Sequence, residues 1–122
     1  MTLHQTPPVR FDPAAIEKLR QIAGDEGATF VPEMAQLFLE ETGKSLVELT
    51  RASRAEDWES VGRIAHSLKS SAATLGLMLL SKECRDLELS SQNGSAGARV
   101  SPQVAVVLSE FDRAVPTLKG LT

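Results

Sequence analysis

The sequence predicts an all-α fold, an antiparallel up-down four-helix bundle with a short additional N-terminal helix, and three observations carry that prediction. Apolar residues recur at alternating spacings of three and four along most of the chain, the period of an amphipathic helix. No stretch alternates apolar and polar residues in the way a half-buried strand does. Aromatics are scarce, with one Trp, four Phe and no Tyr, so the core must be aliphatic, which suits packed helices. A chain of 122 residues is long enough for one such domain, burying about two thirds of its unfolded surface.

Residues 1–11 read as a flexible leader or linker, and residues 12–120 as the bundle. Asp12-Pro13 starts the first helix, an aspartate cap followed by proline at the first helical position. Ile16, Leu19, Ile22 and Ala23 mark its apolar face, Gly24 ends it, and Gly27 and Thr29 fall in a connector. The second helix begins near Val31-Pro32 and runs to about Ser53, with Met34, Leu37, Phe38, Leu46 and Leu49 inward and Gly43 a weak point. Asp57 (or Glu56) opens the third, which carries Trp58, Val61, Ala65, Leu68, Ala72 and Leu75 until Gly76 closes or bends it. The fourth carries Leu77, Leu80, Cys84 and Leu87 as far as Asn93-Gly94. Residues 93–100 are rich in Gly, Ala and Ser and read as a loop. Ser101-Pro102 restarts a helix bearing Val104, Val107, Leu108, Phe111 and Val115, which Pro116 ends or kinks. Short links make sequential helices antiparallel neighbours.

A net charge of −3 with no basic run gives no footprint for nucleic acid or an anionic membrane. No segment approaches the roughly 20 apolar residues of a spanning helix, and the N-terminus lacks a secretory signal, so a cytoplasmic location is expected. The single cysteine, Cys84, has no partner for a disulfide or a zinc site and reads as a small buried apolar residue.

Of the two histidines, His4 lies in the leader and reads as incidental, while His66 stands in the middle of the third helix. At about 100° per residue, His66 points roughly 140° from the stripe formed by Val61, Ala65, Leu68 and Ala72. Its neighbours Gly62, Ser70 and Ala73, at i−4, i+4 and i+7, are all small. Glycine inside a helix costs up to about 1 kcal/mol against alanine, and what small residues provide is clearance for an approaching protein. Lys69, at i+3, can reach an anion held on the ring. Geometry alone leaves an incidental surface histidine open beside a docking nucleophile. There is no Gly-rich phosphate loop or Walker lysine, hence no ATP site, and no carboxylate cluster to hold a metal. No second histidine, cysteine or acid–base pair can be placed beside His66 by spacing, which argues against a self-sufficient hydrolase or transferase.

The run Ala65-His66-Ser67-Leu68-Lys69-Ser70-Ser71-Ala72-Ala73-Thr74-Leu75-Gly76 resembles the signature of histidine phosphotransfer (HPt) domains of bacterial two-component phosphorelays. The Asp57-Trp58 entry, the apolar spacing before His66 and the later Leu80, Cys84 and Leu87-Glu88 extend the resemblance over about residues 12–118. It implies that His66 carries a phosphoryl group between aspartates of response-regulator receiver domains, with Lys69 as charge partner. Glu88 matches the position where many members use Gln or Glu to hold the imidazole. A carboxylate accepting the Nδ1 hydrogen would leave Nε2 as the nucleophile. Ser70 stands where many members have glycine. The implied docking surface comprises Gly62, Arg63, Ser67, Ser70 and Ala73, with Glu59 and Leu77–Met78 contributing to partner choice.

The implied partners are a receiver domain and a sensor histidine kinase, met as a monomer. No cofactor is expected in this chain, Mg²⁺ belongs to the receiver, and no independent kinase activity is expected. The domain either stands alone or forms the cytosolic tail of a hybrid sensor kinase. The competing reading, left open by Ser70, is a helical module that binds a receiver without accepting phosphate.

Overall fold

Several helices begin or end on a signal that the local chemistry explains. In the computed structural model, which describes residues 9–93 and 97–122, the Asp12 carboxylate accepts from the Ala14 amide at 3.0 Å and opens α1, Pro13–Ala23. A single 3₁₀ turn, Gly24–Glu26, leads into α2, Gly27–Arg54. The Asp57 carboxylate accepts from the Ser60 amide and hydroxyl at the start of α3, Trp58–Thr74. Those two bonds hold the Asp57 carboxyl below the usual aspartate range. Gly76, in the left-handed region at φ 77°, turns the chain into α4, Met78–Ser91. The last helix is α5, Gly97–Leu121. Among the described residues there is no strand.

Helices α2 to α5 pack in a closed ring, α2 on α3, α3 on α4, α4 on α5 and α5 on α2, with α1 laid on α2. Leu49, Val61, Ala65, Leu80, Leu87, Val107 and Leu118 are buried in the centre. Phe38 and Phe111 meet across the α2–α5 contact with ring centroids 6.3 Å apart and planes tilted by 50°. Cys84 is buried with them, and burial pushes its thiol up to about 12.

Two helix starts differ from the sequence-based expectation. Helix α2 starts at Gly27, not at Val31-Pro32, and Gly27 and Thr29 are helical, not connector. Likewise α5 starts at Gly97, so Arg99 and Val100 are helical rather than loop; residues 94–96 lie outside the described residues. In both helices a proline, Pro32 or Pro102, sits at the sixth position. A proline there lacks the amide for one hydrogen bond and crowds the carbonyl four residues back. Burying a valine contributes about 1.5 kcal/mol or more, and the extra turns bury Val31 and Val100. At the other end, α5 continues through Pro116 to Leu121, because ending there would leave Leu118, which is fully buried, without its place in the core. Two expected inward residues, Ile22 and Leu37, are exposed by 70% and 58%.

The leader is docked at its last residues. The Met78 amide donates to the Arg10 carbonyl at 3.0 Å, and the Asp12 amide donates to the Gly76 carbonyl at 2.8 Å. Arg10 Nε also pairs with the nearly buried Glu110 carboxylate at 2.7 Å, while Phe11 packs on the core. Residues 1–8, including His4, lie outside the described residues.

Candidate functional site

The middle of α3 and the last turns of α4 run side by side, and the site is built across that contact. The buried positions Val61, Ala65, Leu68 and Ala72 fix the rotation of α3, which turns His66 outward with 62% of its side chain exposed. On α4, Leu80, Cys84 and Leu87 go into the core, and the neighbouring Glu88 is thereby set on the α3 side with 15% of its side chain exposed.

The Glu88 carboxylate bridges two groups of α3. Its Oε2 lies 2.8 Å from His66 Nδ1, and its Oε1 accepts from Lys69 Nζ at 2.9 Å. The hydrogen bond from Lys69 is the main cause holding the Glu88 carboxyl below the usual glutamate range; burial opposes it, and the His66 contact adds to it. An ionised carboxylate only accepts, so the hydrogen of a neutral imidazole sits on Nδ1 and the lone pair on Nε2. The ring is held at one nitrogen and presents the other as a nucleophile. Lys69 stands on Glu88, on the Nδ1 side of the ring.

Two further contacts join α3 to α4 and neither is evident in the sequence pattern. The Ser81 hydroxyl donates to the Lys69 carbonyl at 2.9 Å. Ser91 lies over Gly62, so that a Cβ at position 62 would stand 2.6 Å from Ser91 Oγ. The clearance at Gly62 thus faces α4.

The other residues expected at the docking surface are spread around α3. Arg63 is exposed and donates from Nη2 to the Ser60 hydroxyl at 3.2 Å. It lines, with Trp58, Glu59, Gly62, His66 and Glu88, a groove of ≈ 490 Å³ between α3 and α4. Ser67 and Ser70 are exposed, and Ser67 lies on the opposite side, in a cleft of ≈ 400 Å³ between α3 and α2 that also holds Met34, Leu37 and Glu41. Ala73 is half-buried and faces α1 near Ala14 and Lys18. Among the described residues no three of His, Cys, Asp and Glu come together as a metal site. No helix among them is long and apolar enough to cross a membrane.

Known proteins supply an independent comparison. The sequence model of the Hpt domain matches residues 33–114. The chain is similar in structure to the histidine-containing phosphotransfer protein B of Pseudomonas aeruginosa, with a TM-score of 0.81 and 24% identity over 92% of this chain and 93% of that one. No curated protein sequence matches it.

Proposed function

The chain belongs to the Hpt domain family and serves phosphotransfer in a phosphorelay, and from that premise we propose that His66 is the residue that carries the phosphoryl group. The observation behind this assignment is the pairing of an exposed ring with a carboxylate 2.8 Å from its Nδ1. Hpt domains interact with receiver domains and kinases of phosphorelays, and the donor here is the aspartyl phosphate of a receiver. His66 Nε2 attacks phosphorus in line, a P–N bond forms, the P–O bond to the aspartate breaks, and the aspartate leaves as a carboxylate. The reverse exchange passes the group to the next receiver. Phosphoryl transfer is governed by positioning and charge neutralisation. Glu88 orients the ring and stabilises the positive charge that develops on it. Lys69 neutralises Glu88 at rest and lies one helical turn from His66. The receiver brings the Mg²⁺ and the acidic pocket. The domain acts as a monomer on the cytosolic side and has no kinase activity of its own.

Incubation with a phosphorylated receiver should label the chain with an acid-labile, base-stable phosphate. His66→Gln should abolish the label while leaving the helical circular dichroism unchanged. Continued labelling of that variant would overturn the assignment.

A further inference from the structure

Glu88 lies in the last turn of α4, where main-chain carbonyls run out of helical partners. The Gln92 amide, which would ordinarily bond to the Glu88 carbonyl, is directed to Leu89 and Ser90 instead. The donor on the Glu88 carbonyl is the Ser91 hydroxyl, at 2.7 Å. Ser91 itself is buried, and its hydroxyl stands over Gly62, where any side chain would begin 2.6 Å from Oγ and 3.6 Å from Cβ. Position 62 is one helical turn before His66, and position 91 is three residues after Glu88. The contact therefore closes the α3–α4 gap at the level of the carboxylate that holds the ring.

We propose that Ser91, seated on the bare backbone of Gly62, is a positioning residue that keeps the Glu88 carboxylate on His66 Nδ1 and so fixes which ring nitrogen is free for phosphotransfer. The inference rests on the carrier role of His66 given above, but its first readout needs no phosphate. A methyl at position 62 leaves two responses. Either α4 moves away from α3, or the Ser91 hydroxyl rotates off the Glu88 carbonyl and leaves it without its donor. Both loosen the turn that carries Glu88. With alanine at both positions the nearest approach becomes the ordinary 3.6 Å contact between Cβ atoms.

The test uses the full chain with a ¹⁵N-labelled imidazole, whose nitrogen resonances at a pH where the ring is neutral report which nitrogen bears the hydrogen. The wild-type ring should be nearly all Nδ1–H. Gly62→Ala should give a mixture with Nε2–H, and should slow transfer from a phosphorylated receiver by about 10- to 100-fold, the scale of a misplaced reacting group. Ser91→Ala should shift the mixture less. The double variant should lie closer to wild type than Gly62→Ala does, an interaction opposite in sign to simple addition. An unchanged Nδ1–H population in Gly62→Ala would overturn the proposal, including the case where only the melting temperature falls. So would a double variant equal to the sum of the singles. Failure of the wild-type chain to accept phosphate would instead count against the carrier role, whatever the ring resonances show.

Discussion

The two flanks of α3 are built differently. Toward α4 the outer edge of the contact is polar and held at three levels: Ser81 on the Lys69 carbonyl, Glu88 on His66 and Lys69, and Ser91 over Gly62. Toward α2 the flank opens as a cleft with Leu37 exposed at its rim, and the side-chain hydrogen bonds there stay within one helix, Gln36 to Glu40 and Thr74 to the Ser70 carbonyl. One flank restrains the ring and the other leaves apolar surface uncovered. The difference is between a flank cross-linked by polar contacts and an open apolar flank on a single helix, and it makes ring orientation and partner docking testable as separate tasks. Chemistry needs fixed distances; docking needs room.

That separation can be broken most strongly from the α4 side. Glu88→Ala should slow phosphotransfer by about 100-fold, as loss of an orienting group does, with receiver affinity little changed in a titration. Glu88→Gln, whose amide oxygen still accepts from Nδ1, should lose only a few-fold. From the α2 side, Leu37→Ala should weaken receiver binding by about 3- to 10-fold, the scale of one apolar contact at an interface. It should leave the ring resonances and the melting temperature unaltered, because Leu37 is already exposed. A loss of ring orientation in Leu37→Ala would merge the two flanks into one site.

Acid sharpens the same comparison with a smaller effect. The Glu88 carboxyl titrates below its ordinary 4.5, so its contribution to stability is present above that pH and lost as pH falls through the lower folded value. Urea unfolding should show wild type more stable than Glu88→Gln, by about 1 kcal/mol, at neutral pH, with the gap closing only below 4.5. The smallest effect belongs to the outer face of α4, where Lys82 donates to Asp86 at 2.9 Å with both side chains well exposed. Asp86→Ala should cost about 0.3 kcal/mol or less at low salt and nothing measurable at high salt.

The helices that bear the site were readable from the sequence because their apolar residues repeat with the helical period. The outward direction of His66 followed from Val61, Ala65, Leu68 and Ala72, which are all buried. Glu88 stands out in the sequence only through the family resemblance, because spacing alone cannot place a residue 22 positions and a turn away beside His66. Gly62 shows the limit more sharply. Its lack of a side chain signals that something comes close, and the sequence suggested an incoming protein where the fold supplies Ser91. Which neighbour takes the space is a three-dimensional fact. The helix starts at Gly27 and Gly97 were obscured by Pro32 and Pro102, because a proline marks the first turn strongly while the burial of Val31 and Val100 depends on helices far away in the chain. The docking of Arg10 on Met78 and Glu110 was equally hidden.

The seat of Ser91 on Gly62 also has a historical dimension. Two positions that share one small volume do not change with equal ease in either order. A lineage passing from the glycine–serine pair to an alanine–alanine pair meets less disturbance if the hydroxyl at 91 goes first, because a methyl at 62 added before then displaces either Oγ or α4. Positions 62 and 91 should therefore co-vary among descendants of this sequence, with loss of the hydroxyl at 91 the easier first step.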